Sequence, residues 1–474
     1  MAKKRRGGSK RGGSVITIIV LIAIAAAAGY IYTAPEFERQ KPTIKSPEKI
    51  YWNRKDPIKI DLSDNVGLGS YELVLSDGTN SVIVGQGPIE GNPKEKTVVA
   101  KYPKKSKALD TKKRHYTLTV KATDNSKWNM FQGNTATKTI QVDIDYKRPN
   151  VNILSNSRMI NQGGSALVVF QAEDENMDAL YVEANKHKFK AEPYKKEGYY
   201  AALIAWPFTD ESFDAKIVAT DKAGNRRETH IPFYHGNPRY KTSKIRATDK
   251  FIDGKITDLA SSDPEYADID DRLEKLKAIN ETMRLKNEDL IHKLSRHVSD
   301  EMIDKWEIKR FYPLKNGKRV ASFGSHRYYY YNDKDNVISE SYHVGYDLAS
   351  TKMADIVSSN AGKVVYADEN GIYGNMPMID HGLGLFTLYG HCSQLMVREG
   401  DEVEAGQVIA KTGMTGLALG DHLHFGILVQ GIEVRPVEWF DRTWIKKFIS
   451  NVFKEADKII EPKRTEKSQS NEDG

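Results

Sequence analysis

The chain of 474 residues is long enough for several domains of ~100–200 residues each. Its 28% charged and 39% hydrophobic residues suit globular folding, and its single cysteine, Cys392, excludes an intrachain disulfide. The formal net charge of +7 is concentrated at one end: Lys3, Lys4, Arg5, Arg6, Lys10 and Arg11 have no acid among them, so the remainder is nearly neutral and gives no case for nucleic-acid binding.

No charge occurs between Arg11 and Glu36. The run VITIIVLIAIAAAAGYIYTA, residues 15–34, is close to the ~20 apolar residues that span a bilayer as a helix. The basic residues of segment 1–14 predict a cytoplasmic tail and an exported remainder, anchored in an inner membrane and lying in the periplasm. A cleaved signal peptide competes with this reading, because Ala25 to Ala28 offer small-residue cleavage sites. The apolar run continues through Ile31 and Tyr32, which favours the anchor, and both readings export the chain.

Residues 42–146 and 147–236 read as two β domains with a shared pattern. The first contains IKIDLSDNVGLGSYELVL and YTLTVKATDNSKWN; the second contains ALVVFQAEDENMDALYVEA and FDAKIVATDKAGNRRE. In each, an alternating strand runs into an acidic turn (Asp64, Asn65; Asp174, Glu175), and a late strand ends in Ala-Thr-Asp (Ala122 to Asp124; Ala219 to Asp221). Period-2 alternation with regular turns predicts β-sandwiches, and the pair resembles bacterial immunoglobulin-like repeats. Clustered carboxylates can hold calcium, but no full calcium-loop signature is present, so chain bending and backbone capping are the preferred reading of the acidic turns.

Residues 263–304 read as a helical linker. Leu273, Leu276, Met283, Leu290 and Leu294 follow a heptad-like spacing with Asn280 and Asn287 in the same stripe. A short dimeric coiled coil would use such asparagines. The stripe lasts only about three heptads, which favours a helix packed on its own chain. The segment 455–474 is charged, poor in large apolar residues and reads as a flexible tail.

Six of the 12 histidines fall between His326 and His424. Three short motifs hold four of them: HVGYD (His343, Asp347), YGH (His391) and HLH (His422, His424). Catalytic zinc takes three protein ligands from histidine and carboxylate and keeps one position for water. A His and an Asp in one motif, with a His from another, meet that count. HLH lies in the β-prone run GDHLHFGILV, where residues i and i+2 share a face. His422 and His424 then point one way and Leu423 and Phe425 the other. In HVGYD the spacing is that of a helix turn, but Val344 and Gly345 argue for a strand or loop.

These residues belong to a longer ordered set: ASFGSHR, HVGYDLAS, AGKVVYAD, YGN, IDHGLG, TLYGHCSQL, REGDEVEAGQVIAKTGMTG, GDHLHFGI and VRPVEWF. The set resembles the lysostaphin/LytM-like zinc endopeptidases, over about a quarter of the chain. The resemblance implies a compact antiparallel β domain at 311–445, one zinc held by His343, Asp347 and His424, and catalytic histidines at His391 and His422. It implies hydrolysis of peptide bonds in bacterial peptidoglycan, a D,D cross-link or a glycine bridge. A regulatory, non-catalytic member of the same fold is the alternative, as is a cell-envelope scaffold in which the β domains engage protein partners. Cys392 departs from the family pattern; a buried side chain is expected there rather than a thiol nucleophile. His381 sits in a His-Gly turn read as structural, and His326 has no assigned role.

The expected architecture is therefore mainly β, with an N-terminal transmembrane helix, two immunoglobulin-like sandwiches, a helical linker and a C-terminal zinc-peptidase domain.

Overall fold

The computed structural model describes residues 11–104 and 108–462. The expected cytoplasmic tail lies, apart from the start of the first helix, outside the described residues, as does the tail beyond residue 462. The chain forms two compact units: residues 1–148 with 221–225, and residues 149–220 with 226–474.

In the first unit, helix Arg11–Thr33 carries the apolar run. Its Val15–Thr33 portion is not buried in the fold, and Ile16, Ile19 and Ile22 are at least 60% exposed. A water-soluble helix would bury such a face; one that crosses lipid need not. The β domain that follows closes a three-stranded sheet (Thr43–Lys45, Ile58–Ser63, Glu95–Ala100) over a five-stranded one. Alternation determines which residues meet. In Ile58–Ser63 every second side chain is buried, and in His115–Asp124 the same holds. Ile60, Leu62, Leu73, Leu118, Val120 and Ile140 form the resulting core.

The second unit begins with the other β domain, built from two four-stranded sheets. Phe170, Leu203 and Trp206 are fully enclosed in its core. That core does not stop at residue 236. Helix Asn451–Ile460 buries Val452, Phe453, Ala456 and Ile460 against the same cluster, and Tyr194 meets Phe453 at 5.0 Å between ring centres. Residues 455–460, expected to be a flexible tail, are thus part of a packed amphipathic helix. Its apolar residues fall three to four apart, a period masked in the sequence by the lysines and acids between them.

The C-terminal domain centres on an eight-stranded sheet in which Leu423–Val429 lies between Tyr346–Ala349 and Leu385–Gly390. Both of its faces are covered, so all seven residues of Leu423–Val429 are buried, and apart from His424 and Gly426 the strand is aliphatic or aromatic. The domain also recruits chain upstream of residue 311. Strand Thr242–Arg246 pairs in parallel with Ser325–Tyr330, which pairs antiparallel with Val337–His343.

The helical segment packs on the same domain. Asp271 caps the helix that begins at Arg272 by accepting from Leu273 N and Glu274 N. Leu276, Ile279, Met283 and Ile291 are buried against Met376, Met378, Phe386 and Leu428. The two asparagines of the stripe also find partners within the chain: Asn280 Nδ2 donates to Ser339 Oγ at 2.8 Å, and Asn287 Oδ1 accepts from Ile372 N at 2.9 Å. The stripe is used inside the chain, as a self-packed helix requires. Ile279 has no exposed surface, so Ile279→Ala should lower unfolding stability by about 2–5 kcal/mol. An unchanged denaturation midpoint would mean that the helix does not belong to this core.

Candidate metal centre

Three strands bring the motif residues together. Strand Val337–His343 ends at His343, the chain turns through Val344 and Gly345, and Tyr346–Ala349 carries Asp347. Asp347 lies opposite His424 in the sheet, and Gly390 flanks His424 on the other side. The turn passes so close to His424 that a Cβ on Gly345 would sit 2.4 Å from its ring. Only glycine fits there.

His343 Nε2 lies 2.9 Å from Asp347 Oδ1 and 3.1 Å from His424 Nδ1, and Asp347 Oδ1 is 2.8 Å from His424 Nδ1. All three residues are buried. Ligands on one tetrahedral zinc, with bonds of ~2.0–2.1 Å, stand about 3.3 Å apart. Hydrogen bonding indicates the same use. His343 Nδ1–H donates to the Ser322 carbonyl at 2.9 Å, which leaves the Nε2 lone pair facing a carboxylate oxygen. A metal ion on Nε2 would sit between these groups in the place that a bridging proton takes without it. These three residues therefore fit a metal ion on donor chemistry and on spacing.

Burial opposes the charge on Asp347, but His343 and His424 outweigh it and hold its carboxyl well below the usual range. Burial pushes His424 down to about 4. It also holds His391 well below the ordinary imidazole value, with His424 and His422 adding to the effect. His391 and His424 therefore keep free lone pairs at neutral pH.

His391 and His422 flank the three. Their ring centres are 4.8 Å apart, and His391 is 5.8 Å from His424. His391 Nδ1–H donates to the Thr415 carbonyl at 2.8 Å, and His422 Nδ1–H to the Gly420 carbonyl at 2.7 Å. Each ring thus keeps Nε2 as its free acceptor, and that of His422 is 3.7 Å from Asp347 Oδ2. His391 sits in the left-handed region at φ 67°, an uncommon backbone state for a non-glycine residue, held by its N–H donating to Tyr373 O at 2.7 Å.

The quoted motifs meet behind this centre. Thr415 Oγ1 and Asn375 Nδ2 both donate to the Cys392 carbonyl, and Tyr373 packs edge-on to His424 at 5.4 Å. Tyr373, Thr415 and Gly345 had no assigned part from the sequence, although each lies in or beside a quoted motif. His381 stands apart, donating from Nδ1 to the Ala361 carbonyl, and its burial lowers it to about 4. His326 is stacked between Tyr328 and Tyr342 and bonds Glu340.

The centre opens into a cleft of about 840 Å³. Its walls carry Lys241, Arg246, Arg284, Arg319 and Arg327, and the one carboxylate among the lining residues is Asp347. Arg327 Nη2 is 3.8 Å from Asp347 Oδ2. Lys241, Arg246 and Arg284 come from upstream of the expected domain boundary, where nothing in the sequence linked them to the site.

Residues 341–436 match the sequence profile of Peptidase family M23. The chain carries an M23 peptidase domain at its C-terminal end. Over 95 residues (20% of the chain) this region is 38% identical to the DD-carboxypeptidase/endopeptidase Mpg of Neisseria meningitidis serogroup B (strain MC58), of which it covers 22%. Over 125 residues (26% of the chain) it is 39% identical to the murein hydrolase activator NlpD of Escherichia coli K12, of which it covers 29%. The chain thus spans under a third of the length of these curated relatives. A crystal structure of an M23 peptidase from Pseudomonas aeruginosa aligns over 61% of this chain and 97% of its own, at 18% identity and a TM-score of 0.38.

Cys392, beside His391, is fully buried, its Sγ is 3.1 Å from the Tyr389 carbonyl, and burial pushes its thiol up. A nucleophilic cysteine needs the opposite on both counts. The folded protein should therefore resist iodoacetamide, and the thiol should become reactive only after denaturation. Rapid alkylation in native buffer would contradict the buried placement.

Proposed function

We propose that the protein is a zinc-dependent peptidoglycan endopeptidase, held at the inner membrane by its N-terminal helix with the rest of the chain in the periplasm. The observation that carries this reading is the intact donor set, His343, Asp347 and His424, with two further histidines presenting free acceptors beside it. His343, Asp347 and His424 would hold one zinc. When bound, that ion would polarise the scissile carbonyl and lower the pKa of its water towards ~7. The chain's own part is to orient His391 and His422 through their Nδ1 contacts with the Thr415 and Gly420 carbonyls, so that one accepts the water's proton while the other steadies the oxyanion. The two β domains, read as immunoglobulin-like, would present the enzyme to the wall and to envelope partners.

The cleft bears on the choice of bond. Five cations face one carboxylate that is itself a metal ligand. Such walls favour peptides with free carboxylates over an uncharged glycine bridge. We therefore favour a D,D cross-link between stem peptides. The similarity to a murein hydrolase activator supports a second reading, in which the domain regulates other hydrolases. Digestion of purified cell wall by the purified chain separates the two: soluble cross-link products are expected from an enzyme and none from a regulator.

Metal analysis should find one zinc per chain, lost from His343→Ala and His424→Ala. Full occupancy in both variants would refute the ligand set. His391→Ala and His422→Ala should keep the zinc and lose about 10²-fold or more in cleavage rate. Arg327→Gln should cost roughly tenfold or more in kcat/KM on carboxylate-bearing cross-links, the range of one charged hydrogen bond. An equal loss on an uncharged glycine peptide would argue against a charge-reading role.

A further inference from the structure

We propose that Glu38, Asp64 and Asp124, in the first unit, form a binding site for a calcium ion that fastens the segment after the apolar helix onto the first β domain. Carboxylate oxygens of the three lie within 4.8 Å of one another. In the sequence pattern Asp64 belongs to the acidic turn and Asp124 ends the late Ala-Thr-Asp strand. Their Oδ1 atoms do the expected work: that of Asp64 accepts from Val66 N and Gly67 N, and that of Asp124 from Ser126 N and Asn134 N. Turn chemistry does not account for the other oxygen of Asp64. Asp64 is only 9% exposed, and its Oδ2 is buried without any hydrogen-bond partner. A buried, unpaired carboxylate oxygen is costly, and a native fold keeps one where something else satisfies it.

Glu38 is the member the sequence pattern could not supply, because it lies outside the repeat. Its carbonyl accepts from Ser126 Oγ at 2.7 Å and from Asn134 Nδ2 at 3.0 Å, which lays the segment along the Asp124–Asn134 turn. Burial and the adjacent Asp124 raise its carboxyl, and no basic side chain offsets them among the described residues. Asn134 Nδ2 also approaches Glu38 Oε1 and Asp124 Oδ2, but one amide has two hydrogens and carries no charge. Three converging carboxylates without nitrogen or sulfur suit a hard cation, and calcium accepts the irregular coordination that carboxylates and waters give. Because helix Arg11–Thr33 ends just before Glu38, the ion would govern how firmly the first β domain is held to the chain leaving the helix.

The test is calorimetric titration of the full chain in detergent micelles with Ca²⁺ alone. One ion per chain is expected to bind with a Kd of about 10⁻³ M or tighter. Asp64→Asn should weaken binding about tenfold or more, while its amide oxygen still accepts from Val66 and Gly67. If Asp64→Asn does not fold, Glu38→Gln, on the segment outside the sheets, carries the same expectation. His343→Ala should leave calcium binding unchanged, which keeps this site distinct from the zinc centre. No binding by the native chain at ~10 mM Ca²⁺, or equal binding by the native chain and the carboxamide variants, would overturn the site; a proton shared by Glu38 and Asp124 would then account for the cluster.

Discussion

The constraint on which the rest of the second unit depends is the convergence of His343, Asp347 and His424 on one point. His343 Nδ1 faces the Ser322 carbonyl at 2.9 Å, and its Nε2 faces Asp347 Oδ1 at 2.9 Å. Holding three buried polar groups within 3.1 Å of one another falls to the surrounding strands. They do so by sheet register, which places Asp347 opposite His424, and by Gly345, which lets the turn pass against the His424 ring. The left-handed backbone of His391 is a further local cost tolerated at the same place.

The rigidity needed to impose that geometry comes from packing that reaches well past the M23 domain. One continuous core joins the second β domain, the C-terminal sheet and helix Asn451–Ile460. Glu438 illustrates the junction: although buried, it accepts from Asn161 Nδ2 at 2.6 Å and from Ser165 N at 3.4 Å, so the carboxylate of one element is satisfied by the other. The upstream strand and helices also supply part of the cleft wall. A fragment trimmed to the M23 match would lose all five cleft cations, Lys241, Arg246, Arg284, Arg319 and Arg327, along with about two thirds of that shared core.

The sequence made the centre legible because its chemistry is local. HVGYD and HLH place their side chains across three and one intervening residues, and strand alternation alone puts His422 and His424 on one face. Leu423 and Phe425 are fully buried on the opposite side. The helical stripe was legible for the same reason. What sequence could not supply was long-range juxtaposition. Lys241 and Arg246 reach the cleft because Thr242–Arg246 pairs with Ser325–Tyr330 across more than 80 residues, and Arg284 reaches it on the helical segment that packs against Val337–His343. Glu38 joins Asp64 and Asp124 through turn contacts rather than any spacing rule. The final helix hid its apolar period among charges.

X-ray absorption at the zinc edge of the metal-loaded full chain tests the central claim most directly. The account expects a four-coordinate ion with two imidazole nitrogens and two oxygen ligands at ~2.0–2.1 Å, one oxygen from Asp347 and one from water. A sulfur ligand near ~2.3 Å, or a spectrum without imidazole scattering, would contradict it.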